Sequence, residues 1–377
     1  MLEYMNRGLL SLAPSGIRQF TALAKQTPDC TMLTIGEPDF NTPEAIKQAA
    51  KCALDENQTH YPPNVGALSL RQAVAEFERK TNQYDYTPDE IIMTAGATEA
   101  IFIAMQGVLN PGDEVIIPTP AFSLYESIAR LAGCVPVLLD TEPTGFQIDP
   151  DALRKAITKK TRLLILNSPN NPTGCVYTSE TLQGIHDVVA GRPIFVLCDD
   201  VYQQLCYTNA MPFAHFRDLR KQLLVVQSFS KPYAMTGWRL GYLMGDLPVM
   251  QKLALYHAAT VVSIAAYAQD ACETALQTDV RQMMHAYRAR RDFIYARITG
   301  MGLQAEKPEG AFYIFPSIAQ FGMDTDSFCR KMVQQGGVAG VPGTCFGAQG
   351  HIRFSFCYDL AEIQLGMDKL EQFINTI

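Results

Sequence analysis

The chain of 377 residues has one tryptophan, Trp238, and its ten cysteines and six histidines lie scattered, with no CxxC, HxxxH or HExxH spacing. Metal ligands usually come in close pairs of that kind, so neither a structural nor a catalytic metal is expected. Thiols so dispersed read as free and mostly buried, as in a reducing compartment. Positive charge is also short. The 31 Lys and Arg against 38 Asp and Glu leave a net charge of −7, with no general attraction to nucleic acid. Long apolar runs are missing too. The uncharged stretch from Leu253 to Gln269 contains His257 and Ser263 and falls short of the ~20 apolar residues that a membrane span needs. Near the N-terminus, Glu3, Arg7 and Pro14 break up what a secretory signal would keep apolar. The expectation is a cytoplasmic protein that engages neither membrane nor nucleic acid.

What the chain does have is 47% apolar residues, ample for a buried core. Its length allows roughly two or three domains of about 100–200 residues each. Amphipathic stretches from Thr42 to Leu54 and Leu68 to Lys80 lead into an alternation of short apolar runs and helical segments. Strands are expected at Ile91–Thr94, Glu114–Pro118, Val135–Leu139, Arg162–Leu166, Ile194–Cys198, Leu223–Gln227 and Leu240–Met244. Helices should open near Ala97, Phe122, Asp149, Ser179 and Pro248. Such alternation builds an α/β fold, here a mostly parallel seven-stranded sheet between helices.

After about residue 275 the pattern changes. A charged helix from Val280 to Thr299 precedes strand-like Ala311–Phe315, a helix from Thr325, Val338–Val341, His351–Phe356 and a last helix from Leu360. This reads as a smaller α+β domain, with a long helix expected at the junction. The expected division is a large domain over 42–275 and a small one from 1–41 plus 276–377.

The segment Ser228-Phe229-Ser230-Lys231-Pro232-Tyr233-Ala234-Met235-Thr236-Gly237-Trp238-Arg239-Leu240-Gly241 begins where a buried strand ends. A lysine there can be desolvated and become a nucleophile toward a carbonyl. Arg239 can return a fork of donors to a phosphate. Read singly, Lys231 is also compatible with an exposed loop and Arg239 with a surface ion pair. Asp199 follows an apolar run and would emerge at a strand's carboxyl end, or cap a helix beginning near Val201. Asp200 has the stronger claim to the capping role. Asn171 suits a turn, and Phe122 suits a core. In Thr94-Ala95-Gly96-Ala97-Thr98-Glu99 small residues open a helix whose first N–H groups can bind an anion, although an ordinary tight turn reads the same way. Arg353, flanked by Ile352 and Phe354 in a period-2 run, needs an anionic partner, either a ligand or a buried salt bridge.

Taken in order, Gly36-Glu37-Pro38-Asp39-Phe40, Tyr61 ahead of Gly66, Asn167-Ser168-Pro169-Asn170-Asn171-Pro172-Thr173-Gly174, Asp199-Asp200-Val201-Tyr202, Ser228 to Gly241, and Arg353 form a specific series. Over nearly its whole length the chain resembles the class I/II pyridoxal-phosphate-dependent aminotransferases of fold type I, the aspartate aminotransferase superfamily. The resemblance implies pyridoxal 5′-phosphate as cofactor. Lys231 would hold its aldehyde and, once displaced by a substrate amine, act as the base. Asp199 would pair with the ring nitrogen, while Asn171 and Tyr202 would donate to the ring's phenolate oxygen. Ala97, Thr98, Ser228 and Arg239 would hold the phosphate, Ser230 would join the cofactor set, and Phe122 would stack on the ring. Tyr61 would reach the phosphate of a second subunit, which implies a homodimer with shared active sites. Arg353 would grip the substrate α-carboxylate, beside Gly36.

The activity so implied is ping-pong transamination between an amino acid and a 2-oxo acid. A β-lyase of the same superfamily is the alternative, and a non-catalytic sensor a more distant one. Ile17, Tyr4, Phe20 and Tyr125 are candidates for side-chain selectivity. All are neutral, which favours neutral, aromatic or methionine-like donors. No arginine is clearly placed to hold a second carboxylate; Arg18 is the one candidate, and it reads equally as a surface helix residue.

Overall fold

The computed structural model describes residues 1–14 and 16–377. The main sheet contains Ile91–Thr94 (β2), Glu114–Thr119 (β3), Val135–Asp140 (β4), Thr161–Asn167 (β5), Phe195–Asp199 (β6), Leu223–Ser228 (β7) and Gly241–Gly245 (β8); Thr31–Met32 (β1) lies outside it. Its order is β2-β8-β7-β6-β5-β3-β4, and β8 alone runs opposite to the other six.

Successive side chains point to opposite faces, and the packing follows that period. Leu224 and Val226 pack with Ala100 and Ile103 on one face, whereas Val225 packs with Ile46, Ile185 and Ala268 on the other. Burial on both faces explains why these strands read as unbroken apolar runs. Because the other strands share one direction, the loops after β2, β5, β6 and β7 leave from the same edge, where open α/β sheets place their ligands.

A separate core gathers Leu33, Tyr287, Phe312, Phe328, Phe354 and Ile363. Around it lie Tyr313–Ile314 (β9), Val338–Ala339 (β10), Val341–Pro342 (β11), Ile352–Ser355 (β12) and the helices Arg281–Gly300, Thr325–Gly336 and Leu360–Ile374. The expected single strand over Val338–Val341 is two. β10 pairs in parallel with β1, and β11 pairs with β12 in the antiparallel order β11-β12-β9.

The junction is not one long helix. Helix Tyr267–Gln277 ends as Thr278 turns extended (φ −81°, ψ 131°), and the Asp279 carboxylate accepts the N–H of Arg281, 2.9 Å away, to start the next helix. At Val201 there is no α-helix for an aspartate to cap, only the short 3₁₀ turn Gln203–Leu205. The N-terminal helix Gly16–Gln26 was expected only as the surface helix carrying Arg18, without bounds. Among the described residues no helix is long and apolar enough to cross a membrane.

Candidate active site

A cavity of about 600 Å³ opens at the shared edge of the sheet. At one end, β2 stops at Thr94, Gly96 takes φ +82°, and helix Ala97–Val108 begins. The first-turn N–H groups of that helix have no carbonyl within it to bond. Arg239, itself left-handed at φ 58°, donates from Nη1 to the Thr236 carbonyl at 2.9 Å. A Cβ added at Gly96 would sit 2.6 Å from Arg239 Nη2, so only glycine lets the guanidinium lie over the turn. Ser228 and Ser230 line the same end, with the Ser230 N–H on Ser228 Oγ at 3.0 Å. Backbone donors, hydroxyls and a guanidinium on one turn fit a phosphate dianion.

Asp199 closes β6, and its buried side chain lines the cavity. The Tyr125 hydroxyl donates to Oδ2, and the Val201 N–H reaches Oδ1 at 3.4 Å. Burial nonetheless lifts the carboxyl to about 6. A carboxylate held this way calls for a cation, which a protonated ring nitrogen would supply. Asn167 fastens the neighbouring strand end, donating from Nδ2 to the Asp199 carbonyl at 2.9 Å and accepting the Asn171 N–H at 2.9 Å. Asp200 points away and takes the Tyr84 hydroxyl at 3.0 Å. Burial pushes its carboxyl up to about 8.

Lys231 extends from the loop after β7, and its Nζ donates to the Gly36 carbonyl at 2.5 Å. Burial, aided by the Arg353 and Arg239 charges, lowers its amine to about 8, so a useful fraction is neutral near physiological pH. The Tyr202 hydroxyl lies 2.7 Å from that of Tyr313. Asn171 Oδ1 accepts from Arg353 Nη1 at 2.8 Å, which leaves the Asn171 amide nitrogen as a donor. Phe122 lines the cavity, edge-on to Tyr125 at 6.1 Å between ring centres.

At the other end Arg353 is buried between the rings of Tyr313 and Phe346, 4.6 and 4.8 Å from its guanidinium carbon. Nη2 donates to the Thr34 carbonyl at 2.6 Å, while the buried Nε has no partner. Among the described residues no carboxylate pairs with it. Gly36 is required by its neighbour, since a Cβ there would meet the Tyr313 hydroxyl at 1.9 Å. The same segment is clamped by Asp39, whose two oxygens each take an Arg290 nitrogen at 2.7 Å.

Helix Gly16–Gln26 forms the mouth, presenting Ile17, Arg18, Thr21, Ala22 and Lys25 to the cavity. Of the residues expected to select side chains, Ile17 and Arg18 lie there. Tyr4 is 78% exposed and does not line the cavity, and Phe20 is buried in the second core. Tyr125 lines the cavity, with its hydroxyl committed to Asp199. Tyr61 is 88% exposed and outside the cavity. Tyr313, Asn167, Thr34 and Lys25 were missed by sequence reasoning. Asn167 opens a motif already noted, and Lys25 stands seven residues from Arg18, on the same helix face.

A family model described as aminotransferase class I and II matches residues 28–370. The chain is 40% identical to a Bacillus subtilis protein named probable N-acetyl-LL-diaminopimelate aminotransferase, over 99% of this chain and 96% of that one. It is 37% identical to aromatic-amino-acid aminotransferase 2 of Thermococcus litoralis, over 96% of each. The solved structure of aspartate aminotransferase from Thermus thermophilus with maleate superposes with a TM-score of 0.93 at 36% identity, over 98% of this chain and 99% of that one.

Proposed function

The chain belongs to the class I and II aminotransferases and depends on pyridoxal phosphate, and from that premise we propose which residues act and which donors it takes. When bound, the cofactor supplies an aldehyde for the amino group and a ring that accepts the electron pair released at the α-carbon. Arg353 orients the substrate by its α-carboxylate. The carrying observation is its buried guanidinium, with an unpartnered Nε and no carboxylate partner among the described residues. Burying such a charge is costly unless a ligand completes it.

Lys231 Nζ, lowered to about 8, takes the proton from the substrate α-carbon and would deliver it to the cofactor's aldehyde carbon, since a proton put back on the α-carbon would leave the amino acid unchanged. Asp199 keeps the ring nitrogen protonated, and Asn171 and Tyr202 donate to the phenolate oxygen. Ala97, Thr98, Ser228, Ser230 and Arg239 hold the phosphate, and Phe122 covers the ring. A homodimer, with Tyr61 reaching the partner's phosphate, is supported by exposed Tyr61, Leu68, Val262 and Tyr267. Asn64, on the Tyr61 loop, bonds the Val262 carbonyl.

The donor we infer has an apolar stem and an anionic far end. Ile17, Ile101 and Leu124 give the cavity apolar wall, which alone would suit the neutral or aromatic donors expected from sequence. Arg18 and Lys25 add exposed charge at the mouth, and neither pairs with a carboxylate among the described residues. The Bacillus relative's name, with a second ionised centre on a long side chain, fits the same chemistry.

The test is a panel of amino donors with 2-oxoglutarate, following oxo-acid formation. Arg18→Ala combined with Lys25→Ala should lower kcat/KM about tenfold for donors with a distal carboxylate and under about twofold for leucine or phenylalanine. Equal losses on both classes would overturn the substrate reading. Pyruvate and ammonia released from cysteine-type donors without transfer would overturn transamination as the main activity.

A further inference from the structure

Behind the phosphate turn lies an ionisable pair with no part in the reaction. Glu99 stands in the first turn of helix Ala97–Val108, and His257 in the last turn of helix Leu247–Thr260. Both are buried, His257 completely. Its Nδ1 is 2.7 Å from Glu99 Oε1, and its Nε2 is 2.9 Å from the carbonyl oxygen of Asn64. The other Glu99 oxygen accepts the N–H of Ala95, the residue that enters the turn.

A carbonyl oxygen can only accept, and so can an ionised carboxylate. An imidazole with one of each against its two nitrogens makes both bonds only when both nitrogens carry protons. With Glu99 ionised, a neutral ring would leave one buried contact unbonded, at a cost. The C-terminal turn of a helix favours the charged ring as well.

Glu99 shares its helical turn with Ala97 and Thr98, which line the cavity. A bare carboxylate there would compete with a phosphate for the same positive end of the helix and repel it through a medium of low dielectric. Arg239 lies over Gly96 on the cavity side, while His257 meets Glu99 from behind. We propose that His257 is a buried imidazolium whose charge cancels that of Glu99, so that the turn Ala95–Thr98 keeps its affinity for a dianionic phosphate. His257 is thus a positioning residue. Through Asn64 it also ties the phosphate turn to the loop that carries Tyr61. The inference rests on the reading of that turn as the phosphate site.

The full-length protein, stripped of cofactor, is titrated with pyridoxal 5′-phosphate and, separately, inorganic phosphate, using the fluorescence of Trp238, next to Arg239. His257→Gln should weaken both ligands by about 10- to 100-fold, the scale of one uncompensated like charge nearby. Adding Glu99→Gln should restore both to within about threefold. An undiminished loss in that double variant would overturn the charge-cancelling role. The wild-type protein gives an independent readout, because ¹⁵N spectra recorded in the buffer of the binding titration should show both ring nitrogens of His257 protonated, and a neutral ring would overturn the proposal. If wild type binds neither ligand while the ring is protonated, the phosphate reading of the turn fails instead.

Discussion

The two ends of the cavity are made from different parts of the chain and in different ways. The end at the sheet edge comes from the middle of the sequence, where Thr94, Asn167, Asp199 and Ser228 terminate strands hydrogen-bonded into one sheet. Its polar groups are braced by one another, as when Asn167 holds both Asp199 and Asn171. The other end comes from the two extremities, helix Gly16–Gln26 and the Thr34–Gly36 segment on one side, Tyr313, Phe346 and Arg353 on the other. There Arg353 is held by aromatic faces, a carbonyl and an amide, with one donor left over. On the proposed reading, chemistry belongs to the end at the sheet edge, and selection to the end where Arg353 keeps an unpartnered donor.

That contrast is open to attack, most strongly at Lys231. Lys231→Ala should reduce turnover about 10,000-fold for every donor alike, the upper range for loss of a general base, as measured by steady-state transfer. A loss that depends on the donor's side chain would break the division of labour. Arg353→Gln should lower kcat/KM about 100-fold or more for amino acids. Amines lacking an α-carboxylate should be affected far less, and equal losses for both would refute its assignment to the substrate end.

The smallest effect concerns stability without cofactor. Asp199 is held near 6 against an ordinary 3.8, so between those pH values the unfolded chain ionises first and stability should fall as pH rises. Lys231, near 8 against 10.5, gives up its proton first in the folded state, so stability should climb from pH 8 toward 10.5. Asp199→Asn should flatten the first slope and Lys231→Met the second, as read by Tm against pH. Unchanged slopes would mean that the cofactor end is not strained when empty.

Legibility in the sequence follows the same division. Each strand of the main sheet lies within a residue or so of its expected place, because burial on both faces forces continuous apolar runs in all but the half-exposed edge strand β4. The residues at the strand ends stand in contiguous motifs and could be named in advance, as could Arg353, a lone charge in an apolar run. Tyr313 could not, since its roles come from Tyr202, Gly36 and Arg353, far apart in the chain. The bounds of helix Gly16–Gln26 were not placed, although Ile17, Phe20 and Ala24 recur at helical spacing between Pro14 and Pro28, and Lys25 was overlooked with it. The break at Thr278–Val280 depends on one carboxylate turning back onto Arg281, a choice that helical periodicity does not register.

The pairing of β1 with β10 brings residues near the beginning of the chain beside residues near its end. Segments that meet there can be inherited and altered without disturbing the strand ends that carry the chemistry. Evolution can then retune diet without reinventing the reaction. Relatives at 34–40% identity, bearing the names of aspartate, aromatic and diaminopimelate enzymes, are what such a lineage would leave behind.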